Sequence, residues 1–173
     1  MSGIGHLAPA FAAKSAARTV PLWVLLVASE TNDILSILFS ATGIEPKVMI
    51  TAMDFHHGVR YLSPVSSPWS HGLFMSIVWA VVAAALAFLF FNDRGASVVI
   101  GLIVFSHWPL DFLMHSNLPI FFSGSPHVGL GLENTGAGFL LMTSLDLLLL
   151  AVGVAIYFKT RIRPRQNQEF ANV

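Results

Sequence analysis

The stretch from Gly72 to Phe91 reads GLFMSIVWAVVAAALAFLFF and contains no charged residue. An α-helix needs about 20 consecutive apolar residues to cross the hydrocarbon core of a bilayer. Three further stretches approach or reach this length, at residues 20–41, 96–114 and 137–158. The pattern predicts an all-α membrane protein with four transmembrane helices, folded as a single integral-membrane domain over residues 1–173.

A shorter apolar segment at residues 7–17 precedes these stretches and is interrupted by Pro9 and Lys14. It is too short to span a bilayer, so we interpret it as a short amphipathic or re-entrant helix. Charged residues make up 10% of the chain, against about 25% in a typical soluble domain. Nine basic residues balance nine acidic ones, which excludes a nucleic-acid-binding module because phosphate binding needs clustered cations. With no cysteine, any metal must be held by histidine and carboxylate.

Basic residues near the C-terminus predict the orientation of the chain. Cytoplasmic loops of membrane proteins carry an excess of Lys and Arg, which places the tail at residues 159–173 in the cytoplasm. Threading back through four crossings places Lys14, Arg18 and Arg94 on the same side, and only Lys47 and Arg60 outside. The two long connections, at residues 42–70 and 115–136, then lie on the outer face.

Four acidic residues fall at membrane depth, whereas none of the nine Lys and Arg residues does. The four are Glu30, Asp33, Asp111 and Asp146. An ionised carboxylate at the bilayer centre costs about 2.5–3.5 kcal/mol on insertion scales. Protonation, water, a charged histidine or a bound metal ion could compensate this cost.

Histidines accompany these acids. His107, Asp111 and His115 recur every four residues and therefore share one helical face. His107 and Asp111 can bind one ion together, whereas His115 lies a turn further out. His71 begins the second span at the same outer end. Alternatively, His107 and Asp111 form a polar pair that only holds helices together. His71 could likewise be an interfacial residue that faces water. Titratable groups from all four spans therefore converge on the outer half of one bundle.

Three other histidines are weaker candidates. His56 and His57 lie in the first outer connection and could cap the site or be solvated. His6 is expected near the cytoplasmic side, and it reaches an outer-half site only if the first helix dips deeply into the membrane.

Several short motifs follow one another in an order that resembles a known family. They are Gly5-His6, Asn32-Asp33, Ser70-His71, Ser106-His107 with Asp111 and His115, the loop from Gly129 to Asn134, and Asp146. In order and spacing, over roughly residues 4–158, the chain resembles the bacterial integral-membrane metal-dependent hydrolases. These are related to the LexA-binding, inner-membrane-associated hydrolase-like proteins.

The resemblance implies a hydrolase of the bacterial inner membrane that uses a divalent metal ion, expected to be Zn²⁺. His71, His107 and Asp111 are then three protein ligands, and the fourth position is open to water. Asp33 is the expected general base or fourth ligand, and His115 the expected general acid. Further candidates are expected to orient ligands or border the site: Glu30, Asp146, His6, His56, His57 and Asn134.

Because the site is expected to open toward the outer leaflet, the expected substrate is a lipid or a lipid-linked ester or phosphoester. Membrane lipids are the expected partners, nucleic acid is not, and a homo-oligomer is possible although no feature indicates one. Two other classes stay open. An ion or proton transport protein predicts polar residues that reach both faces. A non-enzymatic membrane subunit predicts a structural metal or polar network without an accessible open position.

Overall fold

The computed structural model describes residues 4–47, 50–54, 56–61, 66–122 and 124–171. Six α-helices are assigned in this part of the chain, and they form most of it. They are α1 (Ala8–Ala13), α2 (Leu22–Ser29), α3 (Thr31–Thr42), α4 (Leu73–Phe91), α5 (Arg94–Met114) and α6 (Gly136–Ala171). Single 3₁₀ turns precede α1 and α6, at Gly5–Leu7 and Leu132–Asn134. The predicted all-α class fits this architecture.

Three helices are long and apolar enough to cross a membrane: α4, α5 and the Gly136–Arg161 part of α6. Large apolar side chains cover their outer surfaces, and Phe90 at the end of α4 is 81% exposed. Soluble proteins rarely expose contiguous apolar surface of this kind. The predicted spans at residues 72–91, 96–114 and 137–158 therefore coincide with membrane-type helices. The predicted tail continues α6 as far as Ala171, and residues 172–173 lie outside the described part.

The first predicted span, at residues 20–41, is not one straight helix. It is broken at Glu30 into α2 and α3, whose axes differ by 56°. Hydroxyl side chains on both sides of the break bond to backbone carbonyls of the preceding turn, Ser29 to Leu26 and Thr31 to Val27. Such bonds compete with the helical ladder and bend helices. The described chain thus has three membrane-type helices, or four if the bent pair crosses as one span.

The N-terminal segment packs inside the bundle. Its helix α1 is shorter than the predicted segment at residues 7–17 and contacts α2 and α6, while the 3₁₀ turn before it contacts α5 and α6. Gly153 of α6 permits this contact, because a Cβ there would lie 2.7 Å from the backbone oxygen of Ala8. Ala10 is completely buried. The segment therefore packs between α2, α5 and α6.

Helices α4 and α5 form a tightly packed hairpin. Asn92 adopts a left-handed conformation that ends α4, and Asp93 caps α5 by accepting a hydrogen bond from the backbone N–H of Ala96 at 3.0 Å. Thr19, in the connection before α2, donates to the second carboxylate oxygen of Asp93 at 2.9 Å. The turn between α4 and α5 is thereby tied to the start of α2.

The two long connections contain short antiparallel hairpins that the sequence analysis did not predict. Strands β1 (Ile50–Asp54) and β2 (Gly58–Tyr61) form the first, and β3 (Leu118–Pro119) and β4 (His127–Val128) form the second. Gly58 has a positive φ of 75°, and a Cβ at this position would clash with the backbone oxygen of Glu133. The first hairpin therefore packs on the turn that precedes α6.

Candidate metal centre

Imidazole and carboxylate groups from four separate segments meet in one cluster. It contains His6 from the N-terminal 3₁₀ turn, Asp33 from α3, His71 before α4, and His107 and Asp111 from α5. Three groups of these side chains, one including Glu30, place a ligand atom from each member within 4.8 Å of the others. The predicted metal ligands His71, His107 and Asp111 are thus brought together, and these histidine and aspartate groups could hold a metal ion.

The carboxylates of Asp33 and Asp111 face the Nε2 atoms of two histidines. Asp111 Oδ2 lies 3.2 Å from His107 Nε2 and 3.5 Å from His71 Nε2. Asp33 Oδ1 lies 3.2 Å from His71 Nε2 and 3.6 Å from His107 Nε2. Each of these two carboxylate oxygens therefore lies close to both ring nitrogens.

These spacings match neighbouring ligands on a tetrahedral ion. With metal–ligand distances of about 2.0–2.1 Å, two tetrahedral ligands lie about 3.3–3.4 Å apart. His107 Nε2 forms no hydrogen bond to any described residue, although it is buried. A buried polar atom without a hydrogen bond is costly unless another partner satisfies it. The donor set therefore fits a divalent metal ion.

The outer ring nitrogen of each of these two histidines is engaged outside the cluster. His107 Nδ1 donates to the backbone oxygen of Ser29 at 3.0 Å. This carbonyl is available because the break at Glu30 ends α2, and the last carbonyls of a helix lack intrahelical donors. His71 Nδ1 lies 2.8 Å from Ser70 Oγ, whose own hydrogen points to Glu45. In a neutral histidine, a proton on Nδ1 leaves the lone pair on Nε2, which is the atom that faces the cluster.

Glu45 is a functional residue that the sequence analysis missed. Its buried carboxylate accepts hydrogen bonds from the backbone N–H groups of Trp69 and Ser70, at 2.8 and 2.9 Å, and from Ser70 Oγ at 2.7 Å. The resulting chain from Glu45 through Ser70 to His71 fixes one ring of the cluster. No spacing signal links Glu45 to Ser70, since 25 residues separate them.

His6 reaches the site, which resolves the question left open by the sequence. Its side chain is 2% exposed, with Nε2 lying 3.3 Å from Asp111 Oδ1 and Nδ1 lying 3.6 Å from Asp33 Oδ2. Neither ring nitrogen forms a hydrogen bond to a described residue. The ring packs against that of His107, with centroids 3.7 Å apart. The expectation that His6 lies on the far side of the membrane is therefore replaced by a place in the cluster.

His115 lies at the edge of the cluster and pairs with a second residue that was not predicted, Glu133. The distance from His115 Nδ1 to Glu133 Oε1 is 2.7 Å, and His115 Nε2 lies 3.6 Å from Asp111 Oδ1. Burial by itself lowers the pKa of His115, but hydrogen bonds to Asp111 and Glu133 outweigh it and raise the pKa to about 9. Carboxylates that favour a proton on this ring also favour a metal ion.

The other predicted residues lie in varied positions. Glu30 sits at the break between α2 and α3 and belongs to a ligand group with His6 and Asp33. Asp146 is buried on α6. The side chains of His56 and His57 are exposed in the turn of the first hairpin. Asn134 is exposed and donates to Ser116 Oγ at 3.2 Å.

Comparisons with protein-family models, curated proteins and solved structures found no match. The interpretation of the cluster therefore depends on its own geometry and chemistry.

Proposed function

We propose that this chain is an integral-membrane, metal-dependent hydrolase whose ion is held by Asp33, His71, His107 and Asp111. The observation that carries the proposal is the set of four nitrogen–oxygen distances of 3.2–3.6 Å between histidine Nε2 atoms and carboxylate oxygens. Imidazole and carboxylate ligands without thiolate suit Zn²⁺, which we propose as the ion.

Each side chain has a definite task in this proposal. His71 and His107 offer neutral Nε2 lone pairs, because Ser70 and the Ser29 carbonyl fix their tautomers. Asp33 is the exchangeable fourth ligand: its Oδ1 faces both rings, and its 40% exposed side chain can give this position up to water, as a catalytic site requires. When bound, a divalent ion supplies Lewis acidity that activates water at neutral pH and polarises an ester or phosphoester.

One edge of the cluster is accessible. The side chain of Asp33 is 40% exposed, whereas those of His6, His107 and Asp111 are at most 2% exposed. A substrate therefore approaches past Asp33, from the side of α3. This accessible edge favours a catalytic site, which keeps one position open to water, over a purely structural one, in which the protein fills all four positions.

An apolar cavity beside the cluster supports a lipid or lipid-linked substrate. It lies between α1, α5 and α6, and its lining includes Gly5 and Leu110, which directly precede His6 and Asp111. The cavity is about 190 Å³ in volume, and only apolar surface lines it. Such a space accepts part of an acyl or isoprenoid chain while the ester or phosphoester group meets the ion.

The packing of the helices away from the cluster does not support the proton-transport alternative. Val20, Leu25, Ile100 and Val104 are all at most 4% exposed and belong to one apolar core. A relay needs titratable or hydrated groups along its whole path. In the described residues, the buried titratable groups gather at the other end of α5.

The motif order also supports our placing the chain with the bacterial inner-membrane hydrolases that it resembles.

The test uses the full-length chain purified in detergent. Bound metals are measured by mass spectrometry, and hydrolysis is assayed with a fluorogenic fatty-acid ester and a fluorogenic phosphodiester. We expect stoichiometric zinc and hydrolysis of at least one substrate, with both lost in His107→Ala. His127→Ala, an exposed histidine near Ser66, is the matched control and should retain both. Bound metal without hydrolysis of either substrate class contradicts the enzymatic proposal, and the absence of bound metal contradicts the site.

A further inference from the structure

The two oxygens of Asp111 face two different pairs of histidines. Oδ2 lies 3.2 and 3.5 Å from the Nε2 atoms of His107 and His71, which belong to the ion site described above. Oδ1 lies 3.3 and 3.6 Å from the Nε2 atoms of His6 and His115. Each oxygen thus has the surroundings expected of a metal-ligating atom, and a single monodentate ion uses only one of them.

The second pair is oriented like the first. Glu133 accepts a hydrogen bond from His115 Nδ1 at 2.7 Å, so that Nε2, the atom whose proton a metal ion would replace, points toward Asp111. Pairing of the outer nitrogen with a carboxylate is the usual device by which proteins orient a metal-ligating histidine. His6 is 2% exposed, and both its ring nitrogens lack a hydrogen bond to any described residue.

The negative charge around the cluster also favours a second cation. Four carboxylates border it: Asp33, Asp111, Glu30 and Glu133. No Lys or Arg occurs within the predicted spans to compensate them. One divalent ion balances two carboxylates, and a second balances the others. Uncompensated charge at this depth is costly, so a second cation stabilises the cluster.

We propose a second divalent metal ion, bound by His6 Nε2, His115 Nε2 and Asp111 Oδ1, with Asp111 bridging the two ions. This inference depends on the first ion site but not on hydrolysis. It assigns His115 as a metal ligand rather than the general acid expected from the sequence. It also gives the N-terminal segment a specific task, which is to deliver a ligand that the spans lack.

Metal stoichiometry separates these roles. Full-length protein is loaded with zinc and dialysed to remove the excess. Bound zinc is then measured by mass spectrometry and divided by the protein concentration to give zinc ions per chain. We expect two zinc ions per chain in the wild type and in His127→Ala, and one in His6→Ala and in His115→Ala. Circular dichroism checks that each variant keeps its helices. One ion in the wild type overturns the proposal, as do two ions retained in His115→Ala, which is the result for a general acid.

A second measurement needs no variant. Wild-type protein loaded with Mn²⁺ is studied by electron paramagnetic resonance, where two ions sharing a carboxylate give an exchange-coupled spectrum. An isolated-ion spectrum at full loading contradicts the proposal. The failures are distinguishable: two coupled ions without hydrolysis refute only the enzymatic function, whereas one ion with hydrolysis refutes only the second site.

Discussion

His6 Nε2 lies 3.3 Å from Asp111 Oδ1, although one residue lies in the N-terminal 3₁₀ turn and the other near the end of α5. The contact exists because the N-terminal segment enters the bundle beside α6 and turns its first histidine toward α5. The N-terminal segment is therefore part of the site, and the residues that seat it are expected to control metal binding from a distance.

Gly153→Ala tests this seating. The new Cβ would meet the backbone oxygen of Ala8 at 2.7 Å, so α1 must shift away from α6. We expect a lower thermal midpoint and a loss of the metal ion that depends on His6, measured by thermal unfolding in detergent and by metal analysis.

Gly95→Ala is the matched control, since it also lies in a helix and its Cβ would meet only the Asp93 carboxylate, at an ordinary 3.5 Å. Helix propensity alone favours alanine over glycine by up to about 1 kcal/mol. Gly95→Ala should therefore be neutral or stabilising and keep its metal. Equal behaviour of the two variants would show that α1 is not seated as described.

Glu45→Gln tests the support of His71. The amide keeps the size of the side chain but replaces one carboxylate oxygen by an NH₂ group, which cannot accept the hydrogen of Ser70 Oγ. We expect metal affinity to fall by about 10–100-fold, the usual effect of removing a group that orients a ligand. Competition with a fluorescent chelator measures the affinity. An unchanged affinity would remove Glu45 from the site.

The cap of α5 predicts a pH dependence of stability. Hydrogen bonds from the Ala96 N–H, and then from Thr19, hold the pKa of the Asp93 carboxyl below its ordinary value. A carboxyl with a lowered pKa in the folded state contributes stability above its unfolded-state pKa of about 3.9 and loses it as pH falls through the folded value. The thermal midpoint of Asp93→Ala should therefore be lower than that of the wild type at pH 7. The difference between the two midpoints should become smaller below about pH 4.

The orientation proposed from the basic residues is tested by a reporter fusion. Green fluorescent protein attached after the C-terminus should fluoresce in bacterial cells, because it folds in the cytoplasm and not after export in unfolded form. Alkaline phosphatase at the same position should be inactive. The reverse pattern would place the C-terminal tail outside and the metal cluster at the inner face.

The sequence predicted the membrane-type helices well, because an uninterrupted apolar run such as residues 72–91 has few alternatives to a span. It also predicted that His107 and Asp111 lie together, since a four-residue spacing brings side chains together on one helix. His71 was added because it begins the second span at the same end of the bundle. It did not predict the break in the first span, where the hydroxyls of Ser29 and Thr31 compete with the helical ladder in a way that hydropathy does not register.

Other parts of the site depend on tertiary contacts and carry no local signal. Glu45 and Glu133 lie in the two long connections, where a glutamate is ordinarily exposed, and only the folded loops bury them next to Ser70 and His115. His6 could not be placed because a short apolar segment with a proline is equally compatible with lying on the membrane or entering it.

X-ray absorption at the zinc edge tests the central claim most directly, because it reports the ligands of the bound ion itself. The zinc-loaded full-length chain should show only nitrogen and oxygen ligands at about 2.0–2.2 Å. Outer-shell scattering from imidazole rings should also appear, and it should diminish in His107→Ala. A shell of oxygen alone, without imidazole scattering, or the same spectrum in wild type and His107→Ala, would contradict a metal centre at this cluster.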